Sequence, residues 1–231
     1  MWERKEIQMM NEKIEQTKQN EQEKKLNQIK TEFIEIYNSN IKREGAKELL
    51  DFILLTDFFN APASTKFHSA YEGGLAEHSI KVYKRLLMLV KNEYGEDWEK
   101  TISSESVAIC GLLHDVCKIN TYKVEMRNTK ENGVWVQKPY YTTNDPMPYG
   151  HGEKSVYMIN GFLRLTREEA MAINWHMGPY DMRVKGGSFA LSDVFYLYPT
   201  AMLMYMADLQ AAYLDETTEK FAKKKDSEQT K

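Results

Sequence analysis

The run VAICGLLHDVCKI, residues 107–119, constrains this chain more than any other stretch. It is apolar or small almost throughout and lacks strand-like alternation, so it predicts a buried helix. It nevertheless holds an adjacent histidine and aspartate, His114 and Asp115. Burying an ionisable pair is costly unless something balances it. A metal cation is the most economical balance, because it takes a neutral imidazole and an ionised carboxylate together. The only two cysteines, Cys110 and Cys117, fall in the same run. They read as reduced, packed thiols, not as a disulfide framework. Cys117 stands three residues from His114, but without a CxxC pattern it reads as a small buried packer.

On either side the chain is patterned for helices. Residues 3–31 are charged and Gln/Asn-rich, with neither proline nor glycine. They predict a polar helix whose sparse apolar positions sustain no heptad. From Thr31 the pattern turns amphipathic, breaks at Asn38-Ser39-Asn40 and resumes until Asn60, short of Pro62. A loop with the pair Gly73-Gly74 leads into a long helix. On it Leu75, His78, Val82, Leu86 and Leu89 share one face, which turns His78 inward. After the central run, two alternating segments flank Asn132-Gly133 and predict a β-hairpin over 121–143. A Pro/Gly-rich loop then carries His151 and Lys154. The next helix is followed by Thr166…Glu169, a capping-box signature opening a helix that ends near His176. A loop with Tyr180, Asp181, Arg183 and Lys185 leads to a last helix from about Tyr198, in which Asp208 is the acidic residue of an apolar half. The expected organisation is a polar N-terminal helix (1–30), a helical domain (31–217) and a charged, disordered tail (218–231).

The chain has five histidines, His68, His78, His114, His151 and His176, none in the polar first helix or the tail. With Asp115 and Asp208 they form an imidazole and carboxylate set suited to Mn, Fe, Co, Ni, Zn or, in part, Mg. The ordered set His78…His114-Asp115…Asp208 resembles the HD-domain metal-dependent phosphohydrolase superfamily. GLLHDVCK is similar to its central "HD" helix with the trailing lysine, GGLAEHS to the segment of its first histidine, and MADLQAAYLDE to that of its last aspartate. PYGHGEKS and INWHMG match where binuclear members carry two further histidines. The family position of Cys117 is usually glycine or another small residue.

The resemblance covers roughly residues 50–216. It implies an all-α fold, a compact helical bundle with a small inserted hairpin. It also implies one or two divalent cations: a first held by His78, His114, Asp115 and Asp208, and a second held by His151 and His176 with Asp115 bridging. Metal-activated water then attacks phosphorus. Lys118, Lys154 and Arg183 are candidates to bind phosphate, His68 and Glu72 to donate a proton or orient a ligand, and Glu77 to hold an imidazole.

The expected substrate is a phosphorylated small molecule resembling a nucleotide, with the hairpin aromatics Trp135, Tyr140 and Tyr141 available to stack a base. Two alternatives stand beside it. One is a 3′–5′ exonuclease or phosphodiesterase acting on short single-stranded or cyclic nucleotides, since HSAYEGGLAEH and GHGEKS also resemble an exoribonuclease subgroup. The other is a non-catalytic, metal-bound scaffold. A net charge of −3 gives no basic field, which disfavours long nucleic acid. There is neither a membrane-length apolar stretch nor a signal-peptide pattern, so a soluble cytoplasmic protein is expected. The first helix offers a surface for forming a homo-oligomer.

Overall fold

The computed structural model describes residues 2–131 and 133–216. The charged tail 218–231 and Asn132 of the hairpin turn lie outside the described residues. Helix α1, Trp2–Asn40, runs unbroken through residue 31, so the polar segment and the amphipathic one are a single helix. Its buried stripe advances in four-residue steps from Ile29 to Phe33 and Tyr37, and Ile41 continues it. Phe33 meets Phe58 and Phe59 edge-on at centroid distances of 5.1 and 5.4 Å. Upstream of this stripe α1 is already attached to the domain, through Gln22 to Glu72 and Lys25 to Glu77.

Helix α2, Ala46–Leu54, follows a short turn, and α3, Gly74–Tyr94, starts at the predicted glycine pair. Gly73 caps α3 at φ 80°, a conformation open to glycine. Helix α4, Ser104–Leu113, begins at Ser103, whose side chain accepts from the Ser106 N–H. Residues 107–113 are all buried, as a helix apolar all round must be. Helix α3 lies at the centre of the bundle, packed on α4 and α1. The α3–α4 approach is set by Gly111: a Cβ there would fall 2.5 Å from Tyr83 Cα, a backbone atom that cannot turn aside. Gly111→Ala is therefore expected to destabilise the protein by about 3 kcal/mol, the upper end for overpacking, measured by urea unfolding.

The central run departs from its sequence reading at one place. Regular helix stops at Leu113, Asp115 sits at φ −107°, ψ 16°, and a 3₁₀ turn covers Val116–Lys118. The tighter turn swings the Asp115 carboxylate off the helix axis, in the sparsely populated backbone region common among active-site residues. The hairpin follows as β1, Tyr122–Glu131, and β2, Val134–Thr143, paired from Tyr122↔Thr143 to Glu131↔Val134. Gly133 has φ 85°, as a two-residue hairpin loop requires.

Helix α5, His151–Asn160, starts earlier than composition suggests, so His151 and Lys154 lie on its first turn and not in a loop. Gly150 at φ 112° makes that abrupt entry. Helix α6, Arg167–Asn174, carries the full Thr166–Glu169 capping box. The expected loop after it contains α7, Met182–Lys185, and α8, Ala190–Leu197. Asp181 caps α7, an N-cap signal present in the sequence. Helix α9, Pro199–Gln210, packs on α3 and α6 and ends in a π-turn, Ala211–Asp215. The architecture is helical with one two-stranded hairpin. Among the described residues no helix is long and apolar enough to cross a membrane.

Candidate metal centre

Three segments deliver the first half of the cluster. His78 comes from the first turns of α3, His114 and Asp115 from the end of α4, and Asp208 from the last turn of α9. His78 Nε2 lies 3.1 Å from Asp208 Oδ1, 3.7 Å from Asp115 Oδ2 and 3.4 Å from His114 Nε2. His114 Nε2 is 3.4 Å from Asp115 Oδ2. Asp115 turns its other oxygen to a second pair: Oδ1 is 2.8 Å from His151 Nε2 and 3.6 Å from His176 Nε2. The ligand atoms of His78, His114 and Asp115 lie within 4.8 Å of one another, as do those of Asp115, His151 and His176 and those of His114, His176 and Asp208. The six sequence-derived ligand candidates are thus brought together, with each Asp115 oxygen facing a different pair of imidazoles.

The histidines are held by their outer nitrogens. His114 Nδ1 donates to the Gly111 carbonyl oxygen at 2.9 Å, and His176 Nδ1 to that of Ile173 at 2.6 Å. Those bonds fix the tautomer that leaves a lone pair on each Nε2. Among the described residues His176 Nε2 is buried without a hydrogen-bond partner, and His114 Nε2 faces His78 and carboxylate oxygens. Lone pairs converging on acceptors need a cation between them, and nitrogen and oxygen donors fit Mn, Fe, Co, Ni, Zn or Mg. Cys117 Sγ is buried 3.6 Å from His151 Nδ1, so the expected packer also touches a ligand ring from outside.

The electrostatics follow this placement. Burial would raise the Asp115 carboxyl, but Lys118 and the His114 and His151 imidazoles hold it well below the usual range. Lys118 Nζ donates to Asp115 Oδ2 at 2.6 Å. Burial works against charge on His78, yet Asp208 and Glu216 outweigh it and push its pKa up to about 9. His151 is likewise raised to about 10, with Cys117 and Asp115 overcoming burial. His114 is lowered, chiefly by burial.

Several expected site residues are engaged elsewhere. Lys154 is buried, donating to Asp145 Oδ1 at 2.6 Å and Thr121 Oγ1 at 3.3 Å, so it pins the hairpin base to α5. Arg183 pairs with Asp181 at 2.6 Å and Glu153 at 2.8 Å, and its guanidinium lies 3.8 Å over the Trp175 ring. Glu72 binds Gln22 and Asn60, and Glu77 binds Lys25, Lys81 and Tyr71 in place of an imidazole. His68 does reach the cluster: its ring lies 4.7 Å from that of His78.

The hairpin aromatics also separate. Tyr140 shares a face with Glu125 and Arg127, whereas Trp135 and Tyr141 share the face of Tyr122, Val124 and Met126. Trp135 lies about 20 Å along that face from Tyr141, so only Tyr122 and Tyr141 stand at the hairpin's root.

Sequence reading missed Glu216. Its side chain is buried and accepts from His78 Nδ1 and His68 Nδ1, each at 2.9 Å. It stands eight residues beyond Asp208, with the π-turn Ala211–Asp215 between them. The acidic end of YLDE was the one available signal.

A model of the HD domain family matches residues 75–216, more than half of the chain and inclusive of all six ligand candidates. No curated protein and no solved structure matches the chain.

Proposed function

The chain belongs to the HD domain family, a superfamily of metal-dependent hydrolases, and from that membership we propose that it cleaves a phosphoester or phosphoanhydride bond of a nucleotide-like small molecule. The observation that carries this reading is the Asp115 carboxylate, each of whose oxygens faces its own pair of imidazoles. His78, His114, Asp115 and Asp208 would hold one divalent cation, and His151, His176 and Asp115 a second. Cations held there supply water of lowered pKa and withdraw charge from phosphoryl oxygens.

The remaining work falls to the chain's own groups. Lys118 keeps Asp115 ionised and places a positive charge beside the phosphoryl oxygens. His68 is about a quarter exposed and held by Glu216, so it can pass a proton to the leaving oxygen. Lys154 and Arg183 have their charges matched by Asp145, Asp181 and Glu153, and Lys118, itself paired with Asp115, is the cationic side chain that borders the cluster. Tyr122 and Tyr141 offer rings where a base would lie.

A second reading draws on the hairpin. Val124, Met126 and Trp135 are exposed along one face, a surface on which bases of a short single strand could stack. A panel of nucleoside mono- and triphosphates, cyclic nucleotides and short oligonucleotides, assayed with Mn²⁺, separates the two. Trp135→Ala is expected to leave turnover of mononucleotides within about twofold of wild type. Stacking contributes ~1–3 kcal/mol per base, so a tenfold or greater loss confined to oligonucleotides would favour the nuclease. A protein that binds metal but turns over nothing in the panel would favour the scaffold.

A further inference from the structure

We infer that Glu216 is the positioning residue that holds His78 as a cation ligand, and that the π-turn after α9 exists to deliver it. The inference rests on the role proposed above for His78. Both nitrogens of that imidazole face carboxylates from one chain segment: Asp208 Oδ1 is 3.1 Å from Nε2 and Glu216 Oε1 is 2.9 Å from Nδ1. Asp208 is still on regular helix, whereas Glu216 is the first extended residue after the π-turn, at φ −120°, ψ 114°. A π-turn takes in one residue more than an α-turn, which shifts the helical register by about 100°. Such turns gather at functional sites.

The turn is fastened to α3 along one face of that helix. Arg85 Nε donates to Asp215 Oδ2 at 2.8 Å, Lys81 Nζ stands 3.9 Å from Glu216 Oε1, and His78 completes the row. The Glu216 side chain is sealed from solvent, and among the described residues its partners include none of the other five ligand candidates. What it does touch are two imidazole N–H groups, beside the Ser69 hydroxyl. A carboxylate can accept from both at once and so fixes His78 with its proton on Nδ1 and its lone pair on Nε2. An amide in its place has one acceptor and one donor atom. It can serve only one ring as the carboxylate does, and it frees the other to move its proton to Nε2.

The test titrates the full-length, metal-stripped protein with Mn²⁺ by calorimetry and with Co²⁺ by visible absorption, in wild type, Glu216→Gln and His68→Ala. Glu216→Gln is expected to weaken the tighter equivalent of Mn²⁺ by about 10–100-fold and to alter the Co²⁺ bands. His68→Ala is expected to stay within about threefold of wild type, because Glu216 still holds His78. Wild-type affinity and an unchanged Co²⁺ spectrum in Glu216→Gln would overturn the inference, as would an equal loss in His68→Ala. If Glu216→Gln does not fold, ¹⁵N-histidine NMR of the Zn²⁺-loaded wild type decides the matter. His78 protonated on Nδ1 is the expected state, and a bare Nδ1 overturns the inference. A wild type that binds no metal removes the hydrolase reading and this inference together. A wild type that binds metal beside an unaffected Glu216→Gln removes this inference alone.

Discussion

Asp115→Asn is expected to strip the protein of bound metal and to lower its hydrolytic rate by at least about a thousandfold. The substitution keeps the size of the side chain but removes the charge, and Asp115 presents one oxygen to each imidazole pair. Its Oδ2 serves His78 and His114, its Oδ1 serves His151 and His176, so one change empties both halves of the site. Metal-centred charge stabilisation contributes several kcal/mol to a transition state, and each 1.36 kcal/mol is tenfold in rate. Metal analysis by mass spectrometry and steady-state kinetics on the best substrate of the panel read the two effects. Asp208→Asn makes the contrast: its carboxylate lies nearest His78, at 3.1 Å, with His114 and His176 within 4.8 Å, so it should weaken the cation on His78 more than the other.

A large expected effect on stability also lies away from the metal centre, at Glu169. This carboxylate is buried and takes both terminal nitrogens of Arg43 at 2.8 and 2.9 Å, the Ser106 hydroxyl at 2.7 Å and the Thr166 N–H at 2.8 Å. Arg43 also reaches Glu105, so the network joins the α1–α2 turn to α4 and α6. Breaking a buried pair leaves the remaining charge without its partner, which costs ~3–5 kcal/mol. Arg43 is about a fifth exposed and can partly rehydrate, which places Glu169→Gln at the lower end, near 3 kcal/mol.

The pH dependence identifies the cause. Burial would raise the Glu169 carboxyl, but Arg43, Ser106 and the Thr166 N–H hold it below its ordinary 4.5. A depressed carboxyl contributes stability that is complete above its unfolded value and is lost as pH falls through the folded one. The stability gap between wild type and Glu169→Gln should therefore be constant above about pH 5 and shrink as pH falls below about 4.5. Urea unfolding across that range checks it, and a gap independent of pH would assign the loss to packing instead.

The sequence was informative where a residue type and a local spacing jointly demand one structure. His78 falls on the inward face of α3 because Leu75, Val82 and Leu86 mark that face at helical steps. The hairpin followed from Asn-Gly between alternating segments, and α6 from its Thr166–Glu169 box. His114 and Asp115 stood out because an apolar run has no reason to contain them unless they are balanced.

The misreadings share a physical origin as well. Lys154 and Arg183 read as free cations because a side chain's partner is set by tertiary distance, and here Asp145 and Asp181 take them first. His151 read as a loop residue because Pro/Gly composition conceals that Gly150 is the entry to a helix. The break after Leu113 and the π-turn after Gln210 are single-turn changes of hydrogen-bond register, to which hydrophobic periodicity is blind. Glu216 was hidden by the second of these.

The central claim is that Asp115 is shared between two cation positions. The most direct test loads the full-length wild type with Mn²⁺ and combines binding stoichiometry with electron paramagnetic resonance. Two equivalents per chain and an exchange-coupled spectrum, from ions sharing a carboxylate, are the expected result. A protein that binds no Mn²⁺, or two ions with the uncoupled six-line signal of isolated sites, would contradict it.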